Sequence, residues 1–266
     1  MRDIEISLMK QYDEKDSMRN RPCGAVGAAK DDGNQNYAFY TLVARDKYVN
    51  GAVCMYKSLK EKTCFPLIAM ICDLPDSSIK QLTDHGIICR PVEKIESTKA
   101  GIGDNKSRLN DFTYTYTKLH IFSYEEHDRI IFLDSDLIVI KSLDHLFQEV
   151  TSNFAACACT PYWEDRFNSG VMVIRPDKEI FEDMMAKKDT LFTYDGSDQG
   201  FLNTYFKDWQ KLDIKYNAGK RIFSETPDHW AAIDHHVIHF VGAKPWLGGE
   251  SGYEELERLW FKYYHS

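Results

Sequence analysis

Tyr37-Ala38-Phe39-Tyr40-Thr41-Leu42-Val43 is the first sustained apolar run of the chain. It mixes aromatic and β-branched side chains without polar alternation, so it reads as a strand buried on both faces rather than one side of an exposed hairpin. Downstream, Asp46 is placed to cap a helix whose apolar positions Val49, Val53, Tyr56 and Leu59 recur at helical spacing. A second strand is expected from Pro66 to Asp73, then a helix from Asp76 to His85 stopped by Gly86, then a strand from Ile87 to Val92. Strands that alternate with helices, each apolar along its length, predict an α/β fold: a mostly parallel, Rossmann-like central sheet with helices on both faces.

Outward from this unit the pattern continues. Residues 1–36 are polar and mixed in charge, with short apolar clusters such as Ile4 to Met9, and are expected to form a flexible N-terminal extension. The stretch from Glu93 to Asp111 is polar, with Lys94, Lys99, Lys106 and Arg108, and reads as a loop long enough to be functional. A helix is predicted from Thr115 to Tyr124 and strands at Arg129–Leu133, Leu137–Ile140, Phe154–Cys159 and Gly170–Ile174. Helices at Lys178–Ala186 and Asp198–Phe206 follow, then a polar stretch from Lys207 to Ala232 expected to be irregular, and a strand at Val237–Val241. No repeat or linker divides the chain, so a single domain is expected over 37–248, with a C-terminal helix in 249–266. Tyr253, Leu256, Leu259, Trp260, Tyr263 and Tyr264 give that helix an apolar stripe, which more often faces its own core than a partner.

The 266 residues are 43% hydrophobic and 28% charged, which excludes collagen-like, low-complexity and wholly disordered chains. Lys plus Arg is 33 against 41 Asp plus Glu, and the net charge of −8 argues against nucleic acid as a partner. The cysteines at 23, 54, 64, 72, 89, 157 and 159 form no C-x-x-C pair, and several sit in apolar runs. They are expected to be buried free thiols of a reducing compartment rather than a disulfide framework or zinc knuckle. The N-terminus lacks the apolar core of a secretory signal and no apolar run approaches the ~20 residues that span a bilayer, so a cytoplasmic protein without a membrane span is expected.

Four local features carry chemistry. In Ile130-Ile131-Phe132-Leu133-Asp134-Ser135-Asp136, two carboxylates at i and i+2 follow an apolar strand, where they can reach one cation or its waters, or form a solvated turn. His239 ends another apolar strand and precedes Gly242-Ala243-Lys244-Pro245-Trp246; it reads as a ligand or as a satisfied core histidine. Two carboxylates, one imidazole and diphosphate oxygen suit Mn²⁺ better than Mg²⁺ and are short of ligands for structural Zn²⁺. In Asp195-Gly196-Ser197-Asp198-Gln199-Gly200, Asp198 can cap the next helix, whereas Asp195 and Gln199 are not explained by capping. Phe167-Asn168-Ser169-Gly170 leads polar residues into a strand, as a turn or as a ligand edge. The phosphate loop G-x-x-x-x-G-K-[ST], the zinc motif H-E-x-x-H and the nucleophile elbow G-x-S-x-G are all absent.

In this order the features resemble the retaining nucleotide-sugar glycosyltransferases of the glycogenin and galactinol synthase family, glycosyltransferase family 8, from Tyr37 to Trp246. The similarity is carried by Tyr37 to Val43 with Tyr48 and Gly51; Tyr116-Thr117-Lys118-Leu119; Phe132 to Asp136; Asp144-His145-Leu146-Phe147; Phe167 to Val171; Asp195 to Gly200 with Leu202-Asn203; Tyr216-Asn217; and His239 to Gly242 with Lys244 to Trp246. The resemblance implies a GT-A fold. It implies that Leu42, Ala44 and Tyr48 lie at the uracil, and that Asp134 and Asp136, flanking Ser135, hold Mn²⁺ (or Mg²⁺) on the diphosphate with His239. Lys118, Gly242 and Lys244 would contact sugar or phosphates, Arg108 matches a family arginine, and Asn168, Ser169, Asp195, Asp198 and Gln199 would surround the transferred sugar. Asp195, Asp198, Gln199 and Lys118 are the implied catalytic group.

The implied reaction is metal-dependent, retaining transfer of a hexose, glucose as the first donor sugar, from a UDP-sugar to a protein hydroxyl, its own included, or to a glycan or small polyol; a homodimer is compatible with this. Retention requires a carboxylate nucleophile or attack from the face of the departing phosphate. The family is usually assigned the second route, which gives Asp195 and Gln199 stabilising roles. Where glycogenin glucosylates its own tyrosine this chain carries Phe223, which has no hydroxyl, leaving Tyr216, Ser224 or another tyrosine for self-modification. Two further readings stay open: a catalytically inactive nucleotide-sugar binding protein, and a D-x-D phosphohydrolase. The latter place their motif near the start of the domain, whereas here it is mid-chain and followed by Leu137-Ile138.

Overall fold

A computed structural model describes residues 35–98, 113–159 and 163–266. Its strands are β1 (Tyr37–Val43), β2 (Leu67–Ile71), β3 (Ile88–Pro91), β4 (Arg129–Leu133), β5 (Leu137–Val139), β6 (Phe154–Cys159), β7 (Trp163–Ile174), β8 (Gln210–Leu212), β9 (Ala218–Gly219) and β10 (Val237–His239). Its α-helices are α1 (Val49–Leu59), α2 (Asp76–Asp84), α3 (Leu146–Glu149), α4 (Lys178–Lys187), α5 (Asp198–Tyr205), α6 (Lys220–Glu225), α7 (Pro227–Ala232) and α8 (Glu254–His265).

The main sheet runs β3-β2-β1-β4-β7-β6-β8. β1, β2, β3 and β4 are mutually parallel where they pair, while β7 is antiparallel to both β4 and β6. Alternate residues of β1 and β4 go to opposite faces and both faces are buried. Phe39, Ile131 and Leu133 pack with Val49, Val53 and Leu59 of α1, whereas Tyr40, Ile130 and Phe132 pack with Tyr116, Leu119 and Phe201. That two-sided burial is why β1 shows no polar alternation. Because β1 has β2 on one side and β4 on the other, the crossover direction reverses between them, and a crevice is expected beyond their carboxyl ends.

Several expectations are corrected. Asp46 does not cap α1: it opens a 3₁₀ turn, Asp46–Tyr48, and its carboxylate accepts the Ser78 hydroxyl. Thr115–Ser123 is wound as a 3₁₀ helix, in keeping with β-branched Thr115 and Thr117 and with six of its residues being buried. Leu137 to Val139 leaves the main sheet and pairs antiparallel with β10 in a second sheet, β5-β10-β9. β7 begins at Trp163, well before Gly170, because its polar first half still pairs with β6 across two register shifts. The stretch 207–232 is not irregular: β8, β9, α6 and α7 are too short to show periodicity, β8 being placed by its pairing with β6 and the other three by the cluster around Trp230, Ile238 and Trp260. Cys54, Cys72, Cys89, Cys157 and Cys159 are free, but the exposed Cys64, outside the apolar runs, is disulfide-bonded, contrary to the expectation of free thiols throughout. Arg108 and the extension up to residue 34 lie outside the described residues.

Candidate active site

The Asp134-Ser135-Asp136 segment is the crossing between the two sheets. β4 delivers Asp134, whose N–H donates to the Gly170 carbonyl at 2.8 Å, and β5 departs at once from Asp136, whose carbonyl accepts from Phe240 N at 2.9 Å. His239 is aligned with Leu137 in the β5–β10 register, so a side chain 103 residues along the chain arrives beside Asp136. Gly170 makes room for the imidazole: a Cβ there would lie 2.2 Å from His239 Cε1.

His239 is buried, its Nε2 3.0 Å from Asp136 Oδ1 and 4.0 Å from Asp134 Oδ2. Each aspartate gives its other oxygen to a lysine. Lys118 Nζ lies 3.0 Å from Asp134 Oδ1, and Lys244 Nζ pairs with Asp136 Oδ2 while donating to the Phe240 carbonyl at 3.0 Å. Lys118 also reaches Asp198 Oδ2 at 2.9 Å, and that oxygen accepts the Ser169 hydroxyl at 2.7 Å. Burial works against the charge on Lys118, but Asp134 and Asp198 override it and hold the ammonium above the ordinary lysine range. Burial likewise opposes ionisation of Asp136, but Lys244 and His239 prevail and keep its carboxyl well below the usual range. Burial pushes Asp134 up, partly offset by Lys118.

The candidate ligand atoms of Asp134, Asp136 and His239 all lie within 4.8 Å of one another. With a neutral His239, three carboxylates against two ammonium groups leave this cluster one negative charge in excess. Two oxygens and one nitrogen this close together, in an acidic site, fit a divalent cation of borderline hardness such as Mn²⁺, completed by ligand or water oxygen.

A second group adjoins it. Asn168 Nδ2 donates to Gln199 Oε1 at 2.9 Å, and Gln199 Nε2 donates to the Tyr194 hydroxyl at 3.1 Å. Ser197, not Asp198, caps α5, accepting from Gln199 N at 3.1 Å, so the capping role suggested for Asp198 is corrected. Asp195 Oδ1 accepts from Ser197 N at 2.9 Å and Gly200 N at 3.1 Å, and Oδ2 accepts the Ser197 hydroxyl at 2.8 Å; its carboxylate is engaged in the turn that opens α5.

At the end of β1, Ala44 is buried and Leu42 and Tyr48 are half-buried. This segment is tied to the cation cluster in two ways. Trp246 Nε1 donates to the Lys47 carbonyl at 2.7 Å, and Gly51 lets α1 pass so close that a Cβ would lie 2.5 Å from the carbonyl of the buried Ser135. Gly242, exposed at φ 91°, turns the chain between His239 and Lys244. The structure thus gathers Lys118, Asp134, Asp136, Ser169, Asp198, His239 and Lys244 into one cluster. Asn168 and Gln199 are linked beside it, and Asp195 sits in the adjoining turn. Asn217 and Tyr194 join the site without a role expected from the sequence. Asn217 stood within the matched Tyr216-Asn217 pair, and no local pattern marks Tyr194.

The family model described as "Glycosyl transferase family 8" matches residues 36–249. Glycogenin-1 of Oryctolagus cuniculus is 31% identical over 79% of this chain and 65% of its own length. A putative UDP-glucuronate:xylan alpha-glucuronosyltransferase 5 of Arabidopsis thaliana is 31% identical over 80% of this chain and 37% of its own length. The chain therefore spans between about a third and two thirds of the length of these curated relatives. Among solved structures, the glycosyltransferase GlyE of Streptococcus pneumoniae TIGR4 superposes with a TM-score of 0.62 at 20% identity, covering 86% of this chain and 61% of that one. The galactosyltransferase LgtC, solved with donor and acceptor sugar analogues, superposes with a TM-score of 0.59 at 16% identity over 86% of this chain and 95% of that one. Both are α/β enzymes of the expected GT-A architecture, and with the family model spanning the whole sheet and its site, the chain belongs to glycosyltransferase family 8.

Proposed function

We propose that the protein is a divalent-cation-dependent, retaining glycosyltransferase that uses a UDP-sugar, with Mn²⁺ as the first cation and UDP-glucose as the first donor to test. The observation that carries this is the convergence of Asp134 Oδ2, Asp136 Oδ1 and His239 Nε2, with the remaining aspartate oxygens held by Lys118 and Lys244. A cation bound there supplies Lewis-acid neutralisation of a departing diphosphate. Lys118 and Lys244 add fixed positive charge, the arrangement that lowers a barrier most when negative charge develops on a leaving group. Asp134 and Asp136 orient the cation, and Asn168, Ser169, Asp198 and Gln199 offer donors and acceptors for sugar hydroxyls. No free carboxylate nucleophile is required if the acceptor enters on the face from which UDP departs.

For the acceptor, a separate glycan or polyol is favoured over the chain itself. Phe223 packs against Trp230 with ring centroids 5.6 Å apart and has nothing to glycosylate, and the Tyr216 hydroxyl is engaged with His145 Nε2 at 2.7 Å. UDP-glucuronate is the second donor, because the Arabidopsis relative above is named for it. The test is an incubation of the purified protein with each UDP-sugar, with Mn²⁺ or with EDTA, reading released UDP and intact protein mass. Mn²⁺-dependent UDP release with one donor supports the proposal, and mass steps would assign the acceptor to the protein itself. No release with any donor would favour a nucleotide-sugar binding protein.

A further inference from the structure

We infer that Asn217 is a positioning residue for His239 and that, through Asn168, it joins the cation site to Gln199 in one hydrogen-bonded chain of fixed direction; this rests on the cation site proposed above. Backbone N–H groups can only donate, and two of them set the direction. Gly170 N donates to Asn168 Oδ1 at 2.9 Å, and Ser169 N donates to Gln199 Oε1 at 3.3 Å. The Asn168 amide nitrogen therefore faces Gln199 Oε1, at 2.9 Å, and the Asn217 nitrogen faces Asn168 Oδ1, at 2.8 Å. Only the oxygen of Asn217 is left for His239 Nδ1, 2.8 Å away.

An acceptor at that point fixes a proton on Nδ1, so when a cation replaces the proton that Nε2 shares with Asp136 Oδ1 at 3.0 Å, it is the Nε2 lone pair that turns toward Asp134 and Asp136. Asn217 and His239 are both buried, which favours this partner over bulk water. The backbone carries Asn217 to the place: its N–H donates to the Ile214 carbonyl at 2.9 Å, and the next residues form β9, in parallel register with β10. Flipping either Asn168 or Asn217 would set two oxygens or two nitrogens face to face, so both ends of the chain are held by the same residues.

Two substitutions separate the ends. Asn217→Asp keeps an acceptor for Nδ1–H but loses the donor to Asn168, and Asn217→Leu loses both. With UDP present, the free-Mn²⁺ electron paramagnetic resonance signal gives the Mn²⁺ affinity, and steady-state UDP release gives KM for the UDP-sugar. Asn217→Leu is expected to weaken Mn²⁺ roughly 10–100-fold, and Asn217→Asp to stay within about threefold of wild type while its KM for the UDP-sugar rises. Wild-type Mn²⁺ affinity in Asn217→Leu overturns the inference, as does an equal loss in both variants, which would mark a packing role. If Asn217→Leu does not fold, Asn217→Asp decides alone, because weakened Mn²⁺ binding there contradicts the assignment. A wild-type protein that binds no Mn²⁺ in the presence of UDP overturns the proposed cation site itself, and this inference with it.

Discussion

Two acidic clusters lie side by side in this molecule and are built in opposite ways. At Asp134 and Asp136 each carboxylate has one oxygen held by a lysine and the other turned toward His239. At Asp195 both oxygens are spent on the turn, accepting from Ser197 N, the Ser197 hydroxyl and Gly200 N. Both motifs are conspicuous as strings of letters. What separates them is what holds the oxygens, exchangeable lysine and histidine side chains at one and the backbone and cap of a turn at the other, and that makes one cluster open to a ligand and the other part of the scaffold.

The largest effect should follow from emptying the open cluster. Asp136→Asn removes a charge held by both Lys244 and His239, and UDP release should fall by about 100-fold or more, with Mn²⁺ affinity lost in the same titration. An unchanged rate would remove the cation site from the account. Gly170→Ala tests the same cluster without touching a charge. The added methyl would overlap His239 Cε1, so Mn²⁺ affinity should drop roughly tenfold, measurable by calorimetry.

The closed cluster should respond in stability first. Asp195→Asn weakens acceptors for the opening turn of α5 and should cost about 1 kcal/mol in urea denaturation, with UDP release lowered less than about tenfold. A loss as large as that of Asp136→Asn would place Asp195 with the open cluster.

The smallest effect sharpens the contrast between wired and unwired buried histidines. His235 packs on Trp230 at 4.1 Å between centroids, its Nε2 has no hydrogen-bond partner among the described residues, and burial pushes its pKa down to about 4. Between the ordinary value of 6.5 and about 4 the unfolded chain holds a proton that the folded chain does not. Stability should therefore fall as pH drops through that window, by at most about 3 kcal/mol, and level off below it. His235→Phe should flatten this slope in urea midpoints compared at pH 7 and pH 5, leaving UDP release at pH 7 unchanged.

The same contrast marks what was legible in the sequence. Buried strands such as Tyr37–Val43 and Arg129–Leu133 announce themselves because both faces are covered and no polar residue interrupts them. Asp134 and Asp136 stand out as an acidic pair after such a strand, but by itself the pair reads equally as a solvated turn. His239 at a strand end reads as a ligand or a core histidine, and the order of the other motifs is what favours the ligand. Hidden entirely are the crossing from β4 into a second sheet at Asp136, the 3₁₀ winding of Thr115–Ser123, and the short elements of 207–232. Each of these is set by distant partners rather than by local periodicity. Asn217 belongs with them, since its role depends on a polarity imposed by the Gly170 N–H, 47 residues earlier in the chain.

A crystal of the protein grown with UDP and Mn²⁺, with diffraction recorded at the manganese absorption edge, would locate the cation. A single strong anomalous peak is expected, bounded by Asp134 Oδ2, Asp136 Oδ1 and His239 Nε2 and in contact with the diphosphate. UDP bound with no peak there, or with the peak at Asp195, would contradict the proposed cation site.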